Sequence, residues 1–517
     1  MNKWTGLAMA SAAALLAACG GGSDLGGSTE TDLSGARGSL MYNPPLRVTA
    51  LSAAEFKDRL AANASGQTLL ALAGAPKCGV SVHHIEYGTV GGAGEATNAS
   101  GALIVPTGDA AGCSGPRPVV LYAHGTDTNR DYNIADITEP TRPGASEGTL
   151  LAALYAAQGF IVVAPNYAGY DTSKLGYHPY LNADQQSKEM IDALAAARKA
   201  LPKVGGQDAG KLLITGYSEG GHVAMATHRA MQAAGMPVTA AAPMSGPYAL
   251  GAFGDALFYG NVDYGATVFA PLTSTSYQKA YGNIYSTPSD MYEAAYANGI
   301  ETLLPSTTPV ATLMAEGKLP QTALFSSTPP APAFAGITPP TTPAELAPLF
   351  ALGFGTNNLI KNSARLAYLQ DAMANPDGAV PTVTTGGQAA APQNAMRKAF
   401  KTNDLRNWAP QRPVMLCGGN ADPTVFYSVN TALMQGLWSA PSPLALPAGL
   451  LTVLDVDSAA SAGDPFAAVK AGFAQAKAGL AAQGGASAVV QGYHTTVAPF
   501  CSVAARAFFQ QVLASGG

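Results

Sequence analysis

The sequence predicts an α/β fold in which a mostly parallel central sheet is flanked by helices and carries a large helical insertion. Apolar, β-branched runs alternate with helical stretches over residues 118–244, at the spacing of βαβ units. This alternation breaks over residues 248–411 and then resumes. With 517 residues, 47% of them hydrophobic, the chain is long enough to bury a large core.

The N-terminus has the features of an export signal. A positive residue precedes a short apolar stretch, which is too short to span a bilayer stably. The stretch ends in Leu-Ala-Ala-Cys, which resembles a bacterial lipobox and implies lipidation of Cys19. We expect residues 1–19 to be a lipoprotein signal peptide and the Gly/Ser/Thr-rich residues 20–45 to be a flexible tether. An ordinary signal peptide with a chance cysteine is the alternative.

Lipidation would decide where the protein resides. Several acyl chains on Cys19 would give stable membrane anchoring. Gly20, rather than Asp, follows that cysteine, and by resemblance to lipoprotein sorting rules this favours the outer membrane. We expect an exported protein, lipid-anchored on the periplasmic or surface face of that membrane, or secreted.

The composition excludes several kinds of partner. Charged residues make up 12% of the chain and the formal net charge is −5, so we expect no nucleic-acid-binding face. The sequence has no CxxC pair or Cys/His cluster, and we expect neither a metal ion nor a cofactor.

The core is predicted in two parts, residues 46–247 and 412–517, on either side of the insertion. More than 150 residues between two sheet strands is too much for a loop, so we interpret residues 248–411 as a cap. Helices are predicted at 51–60, 68–73, 147–158, 183–201, 291–304, 344–354, 357–374, 425–438, 465–482 and 498–513. Strands are predicted at 80–90, 99–105, 118–123, 160–164, 212–215, 238–244, 413–417 and 450–456.

The residues around Ser218 have the pattern of a nucleophile elbow. A short apolar strand meets Gly216-Tyr217-Ser218-Glu219-Gly220, and a small-residue helix follows. Glycines two residues before and after the serine leave room for a strained backbone that lifts its hydroxyl above the sheet. The alternative is an ordinary glycine-rich βα turn. Because strand, turn and helix accompany the motif, we interpret Ser218 as the candidate nucleophile.

A serine nucleophile needs a base, and the base needs a third group that holds its tautomer. In this kind of fold both partners follow the elbow, with the acid before the histidine. His494, expected in a loop between the last strand and the final helix, is a better base than His228, which lies within the helix after the elbow.

The acid is predicted from its place along the chain. Asp422 lies in the turn directly after the strand at 413–417, which favours it as the acid. The alternative role for Asp422 is that of a turn-former before a proline. Asp455 and Asp457, at a strand end, are the serious rivals. Asp404 and Asp464 are weaker ones.

Export would place the other cysteines in an oxidising compartment. Four remain besides Cys19, and they allow three pairings. Sequence proximity favours Cys78 with Cys113. Pairing Cys417 with Cys501 would tie the acid turn to the base, which favours that bridge.

Acyl transfer also needs donors for the negative charge that develops on the carbonyl oxygen. The backbone N–H of Glu219, directly after the nucleophile, is one candidate. The second is expected in the loop after the strand at 118–123, at Thr126 or Asp127. A plain strand-ending turn is the alternative for this loop.

Together these segments resemble a known family. Tyr122-Ala123-His124-Gly125-Thr126, the stretch Gly216-Tyr217-Ser218-Glu219-Gly220-Gly221-His222 and the late Asp422 and His494 look like the α/β-hydrolases of the bacterial and fungal secretory lipase/esterase type. The resemblance covers about residues 78–247 and 412–514. It implies the α/β-hydrolase fold, hydrolysis of carboxylic esters through an acyl-enzyme, and Ser218, Asp422 and His494 as the triad.

Three functions are compatible with these features. The first is a lipid-anchored serine ester hydrolase whose cap shapes an apolar acyl pocket, with lipids, short-chain esters or polyester oligomers as substrates. The second is a serine peptidase of the prolyl-oligopeptidase kind, although the chain before residue 118 has no room for the propeller that such enzymes usually carry. The third is a catalytically silent lipoprotein of the same fold that binds ligands.

Overall fold

A nine-stranded sheet lies at the centre of the computed structural model, which describes residues 35–516. The strands are β1 (Leu46–Leu51), β2 (Gly79–Val90), β3 (Ala96–Thr107), β4 (Pro116–Ala123), β5 (Ile161–Pro165), β6 (Gln207–Tyr217), β7 (Ala240–Met244), β8 (Phe325–Ser326), β9 (Phe354–Gly355), β10 (Val414–Gly418) and β11 (Leu451–Asp455). The short strands β8 and β9 pair with each other, and the others follow the order β1-β2-β3-β5-β4-β6-β7-β10-β11.

The sheet is antiparallel at one edge and parallel elsewhere. β1, β2 and β3 are antiparallel neighbours, and β3 is antiparallel to β5. From β5 onward every pairing is parallel. β5, β7 and β10 are buried over their whole length, as expected of strands covered on both faces. The mostly parallel sheet predicted from the sequence is confirmed.

Helices flank this sheet and fill the segment between β7 and β10. They are α1 (Ala53–Ala61), α2 (Ala64–Ala73), α3 (Ala145–Leu154), α4 (Ala183–Ala200), α5 (Glu219–Ala233), α6 (Leu250–Phe258), α7 (Ala266–Tyr281), α8 (Ala294–Ala297), α9 (Val310–Ala315), α10 (Ala347–Leu352), α11 (Asn362–Ala374), α12 (Ala395–Asn403), α13 (Thr431–Leu437) and α14 (Ala467–Ala514). By length and composition α14 could cross a membrane, but half of its most apolar window is buried in the fold, as in a core helix.

The segment between β7 and β10 has a hydrophobic core of its own. Its cluster includes Phe258 on α6, Tyr277 on α7, Tyr368 on α11 and Met396 on α12. The helix predicted at 291–304 is wrong, because α8 lasts one turn and the chain then bends through Gly299 at a φ of 80°. The helices α6, α7, α9 and α12 were not predicted.

The C-terminal part of the core also differs from the prediction. α13 begins only at Thr431, so the helix predicted at 425–438 is shorter than expected. The two helices expected near the C-terminus are the two parts of α14, which a kink at Gly484 and Gly485 separates, and the second part begins earlier than predicted. His494, expected in a loop, therefore lies within a helix. Val489, a β-branched residue just over one helical turn before His494, packs against the main core. This tertiary contact holds it in helical conformation despite its low helix propensity.

Part of the segment predicted as a tether lies beside the sheet. Within residues 35–45, Leu40 is 3% exposed and forms a bridge with Tyr87. The predicted signal peptide, Cys19 and the tether up to residue 34 lie outside the described residues.

Candidate active site

Ser218 occupies a sharp turn between β6 and α5. Its backbone has φ 60° and ψ −123°, a conformation that few non-glycine residues adopt and that is typical of a nucleophile elbow. Its N–H donates to the carbonyl oxygen of Met244 on β7, at 3.0 Å. A Cβ at Gly220 would lie 2.0 Å from the carbonyl oxygen of Ala123, so the start of α5 fits against β4 only with glycine there.

Three of the predicted residues form one hydrogen-bonded line. His494 Nε2 lies 2.8 Å from Ser218 Oγ, and His494 Nδ1 lies 2.6 Å from Asp422 Oδ2. A carboxylate accepts the Nδ1–H, which leaves Nε2 free to accept the serine proton. Asp422 is 4% exposed and His494 is 9% exposed, so little water competes for these bonds.

The Asp422 carboxylate is fixed in place by its own turn. Its Oδ1 accepts hydrogen bonds from the backbone N–H groups of Thr424 at 2.9 Å and Val425 at 3.1 Å. The rival Asp455 instead accepts from the backbone and side-chain nitrogens of Asn420. Asp457 pairs with Lys477.

Two tyrosines that precede the site residues in the chain hold the site together. The Tyr217 hydroxyl donates to the carbonyl oxygen of His494. The Tyr493 hydroxyl accepts from Ala421 N–H at 3.2 Å, in the turn before Asp422, and donates to Asp457 Oδ2 at 2.8 Å. Asp457 thus supports the acid turn through Tyr493.

Both favoured disulfides are present. Cys78 is bonded to Cys113, and Cys417 is bonded to Cys501. The second bridge joins β10 to α14, the elements that lead to Asp422 and carry His494.

The loop after β4 runs beside the nucleophile. A Cβ at Gly125 would lie 3.6 Å from the Cβ of Ser218. The hydroxyls of Thr126 and Tyr180 lie 3.0 Å apart, and the carbonyl oxygen of Asp127 accepts from Tyr170 at 2.5 Å. Within residues 35–516, no protein acceptor takes the backbone N–H of Thr126 or Asp127.

A buried ion pair lies behind the elbow. Glu219 Oε1 lies 2.6 Å from His178 Nε2 and accepts from Gln186 at 2.6 Å. Burial alone would lower the pKa of His178, but the Glu219 carboxylate outweighs it, and the pKa of His178 is raised. Burial likewise opposes the charge of Glu219, but His178 lowers the pKa of this carboxyl below its usual value. The Glu219 side chain is therefore committed to His178, while its backbone N–H follows Ser218.

An apolar cavity of about 90 Å³ opens over Ser218. Most of its lining comes from the segment between β7 and β10, with Tyr180 and Leu181 from the loop after β5. The lining from that segment includes Leu250, Phe253, Leu257, Phe258, Asp263, Ala266, Phe269, Ala270, Thr273, Met291, Leu324, Ile360, Met396 and Phe400. The predicted nucleophile thus faces an apolar cavity.

Solved structures share this architecture. The ligand-bound form of the rice cell wall degrading esterase LipA from Xanthomonas oryzae is 25% identical, over 91% of this chain and 98% of that chain, with a TM-score of 0.63. A mutant of the same esterase is 26% identical, over 81% of this chain and 91% of that chain, with a TM-score of 0.60. The chain is an α/β-hydrolase.

Other comparisons are narrower. The model of the prolyl oligopeptidase family matches residues 149–245 of the hydrolase, from α3 to the end of β7. A protein from Legionella pneumophila shares the fold at 18% identity, over 90% of this chain and 96% of that chain, with a TM-score of 0.60. No curated protein sequence matches the hydrolase significantly. Its elbow serine and its likeness to an esterase identify a serine hydrolase.

The sequence analysis gave no role to Tyr217, Tyr493 or Asp263. The two tyrosines directly precede Ser218 and His494, and this adjacency is a signal that could have found them. Asp263 belongs to a segment of mostly apolar and aromatic residues, and no sequence pattern indicates that its side chain lines the cavity.

Proposed function

We propose that the hydrolase cleaves carboxylic esters through an acyl-enzyme on Ser218. One observation carries this proposal: the hydrogen-bonded line from Asp422 through His494 to Ser218 ends at an apolar cavity. An apolar chamber suits the acyl part of an ester, and it offers a charged or strongly polar chain little compensation for lost water.

In the proposed mechanism His494 is the general base. Its Nε2 takes the proton from Ser218 as Oγ attacks the ester carbonyl, and the imidazolium then gives this proton to the leaving alcohol. Asp422 stays ionised and holds the imidazole in the required tautomer. Water enters after the alcohol departs, and His494 activates it to hydrolyse the acyl-enzyme.

Two backbone N–H groups are proposed to stabilise the oxyanion. Glu219 N–H is at the start of α5, where the helix dipole also favours negative charge. Thr126 is the better second donor, because it is nearer in the chain than Asp127 to Gly125, where a Cβ would lie 3.6 Å from the Cβ of Ser218. In sites of this type, loss of one donor raises the barrier by about 3 kcal/mol.

A peptidase is the second candidate, since the prolyl oligopeptidase family model matches residues 149–245. That segment contains α4, β6, the elbow and α5, the common core of hydrolases with either activity. The apolar cavity wall and the likeness to an esterase over 91% of this chain favour ester cleavage.

Kinetics on matched substrates test the proposal. Butyryl and octanoyl esters of p-nitrophenol and the corresponding p-nitroanilides are compared, together with a proline-containing peptide p-nitroanilide. We expect turnover of the esters by wild type and none above background by Ser218→Ala. Turnover of the peptide anilide alone would favour the peptidase, and no turnover of any substrate would favour the silent binder.

We further propose that the hydrolase is exported and lipid-anchored through Cys19. Two disulfides between buried cysteines support an oxidising compartment. Metabolic labelling with a radioactive fatty acid should mark wild type and not Cys19→Ser. Label retained by the variant would overturn the anchor.

A further inference from the structure

Asp263 is a carboxyl group in the wall of the apolar cavity that the proposed mechanism does not use. It lies in the loop between α6 and α7 and lines the same cavity as Ser218. The residue is 6% exposed, and its Oδ1 is fully enclosed without a hydrogen-bond partner. Such a group costs free energy unless something in the cavity pairs with it.

The loop holds this carboxyl in place. Tyr264 N–H, one residue further on, donates to the carbonyl oxygen of Pro423 at 2.8 Å, which fastens the loop to the turn containing Asp422. Val262, one residue earlier, is 1% exposed. Both neighbours of Asp263 are thus held, which fixes the backbone from which its carboxyl group enters the cavity wall.

The polar groups around it are mostly committed elsewhere. The Tyr180 hydroxyl pairs with Thr126, and the Thr273 hydroxyl donates to a carbonyl within α7. Glu219 Oε1 pairs with His178, while Glu219 Oε2 is buried without a partner. Among the described residues that line the cavity, none is lysine or arginine, so no cation balances the charge of Asp263.

This environment favours the neutral carboxylic acid. Burial raises the pKa of Asp263 to about 8, and the nearby negative charge of Asp422 acts in the same direction. At neutral pH the group is then mainly protonated. A carboxylic acid has an O–H that donates and a carbonyl oxygen that accepts, so it can pair with a hydroxyl or with a carbonyl oxygen.

We propose that Asp263 determines specificity by hydrogen-bonding an oxygen substituent, a hydroxyl or a second carbonyl, on the acyl chain of the ester. The proposal rests on the proposed function, because it takes this cavity as the acyl site. A plain alkyl chain would leave the carboxyl unpaired, whereas a hydroxyacyl or oligoester chain would satisfy it. A site built to pair with a polar group discriminates strongly against the analogue that lacks it.

The experiment compares matched p-nitrophenyl esters. Each pair has one chain length, with and without a hydroxyl or methyl ester group, and the substituent is moved along the chain in successive pairs. The measured quantity is the ratio of kcat/KM within a pair. We compare wild type, Asp263→Asn, Asp263→Leu and, as a matched control in an exposed turn of the insertion, Asp290→Asn.

We expect wild type to favour at least one substituted chain by about tenfold or more, and Asp290→Asn to match it. Asp263→Asn retains a donor and an acceptor and should keep most of that ratio. Asp263→Leu should bring the ratio close to one, mainly by improving the plain alkyl ester.

Two outcomes overturn the inference and leave the proposed function intact. One is ester turnover by wild type with no preference for any substituted chain, which needs no variant and so stands even if Asp263→Leu fails to fold. The other is an unchanged ratio in Asp263→Leu with normal fluorophosphonate labelling, which would make the carboxyl purely structural. Absence of ester turnover by wild type would refute the proposed function itself, and the inference with it.

Discussion

The disulfide between Cys417 and Cys501 joins the strand that leads to Asp422 to the helix that carries His494. His494 precedes Cys501 by about two helical turns. Both cysteines are fully buried. The bridge therefore restrains the two elements whose separation sets the distance between the Asp422 carboxylate and the His494 imidazole.

Removal of this bridge should lower both stability and kcat. In the chain-entropy model, the Cys417–Cys501 bridge, which closes a loop of 84 residues, stabilises the folded protein by about 4–5 kcal/mol. The Cys78–Cys113 bridge closes a loop of 35 residues and stabilises it by about 4 kcal/mol, so the two bridges contribute similarly to stability. We expect Cys417→Ala with Cys501→Ala to lower kcat several-fold at a temperature where circular dichroism shows a folded protein. Cys78→Ala with Cys113→Ala is the control, and an equal loss of kcat in both pairs would contradict a specific role.

Replacement of Asp422 by asparagine should nearly abolish turnover. The amide no longer favours the Nδ1–H tautomer of His494, and kcat should fall by roughly three to four orders of magnitude. Asp455→Asn affects the contacts with Asn420 and with the backbone N–H of Asp457 but none with Ser218 or His494, so its kcat should stay within about threefold of wild type. Hydrolysis of p-nitrophenyl butyrate by both variants decides this, and the reverse pattern would transfer the role of acid to Asp455.

The ion pair between His178 and Glu219 should give stability within a limited pH range. The pKa of His178 is raised, so its contribution is complete below its ordinary value of 6.5 and is lost at higher pH. The pKa of Glu219 is lowered, so its contribution is complete above 4.5 and is lost at lower pH. Relative to wild type, the double variant His178→Asn with Glu219→Gln should be least stable between about pH 4.5 and 6.5.

Urea unfolding at four pH values measures this difference. A difference in unfolding free energy that does not vary between pH 4 and pH 9 would mean that the pair is not ionised in the native protein.

Asp263 should make wild type less stable than Asp263→Asn as the pH rises. The unfolded chain loses this proton near 3.8, whereas the folded protein keeps it to about pH 8, so folding takes up a proton between these values. The stability of Asp263→Asn relative to wild type should increase by up to about 1.4 kcal/mol per pH unit across this range. Denaturant unfolding of both proteins from pH 4 to 8 tests it. A constant difference would show that Asp263 ionises normally.

The elbow, the buried strands and the order of the triad residues could be predicted from the sequence, because each depends on a short segment or on the order of segments along the chain. The elbow at Ser218 needs only a strand, two glycines and a helix start, all within a few residues. Strands β4, β5 and β7 are apolar runs that are buried on both faces whatever their order in the sheet. Asp422 and His494 could be selected because the order of elements limits which acid and which histidine reach the strand ends.

What the sequence did not reveal depends on contacts between distant segments. His494 is helical because its neighbours pack on the main core, against the β-preference of Val489 and Val490. The β1 strand was missed because it lies at a sheet edge, where none of its residues is fully buried. The role proposed for Asp263 depends on a cavity shaped by several elements of the insertion, and no short pattern records that.

The most direct test of the account is the site of covalent labelling by a fluorophosphonate. Tryptic cleavage after Lys211 and Arg229 gives a peptide in which Ser218 is the single serine. We predict that mass spectrometry finds the adduct on Ser218 in wild type, that labelling is lost in Ser218→Ala, and that it is greatly slowed in His494→Ala. No adduct on wild type, or an adduct on another residue that persists in Ser218→Ala, would contradict the assignment of Ser218 as the nucleophile.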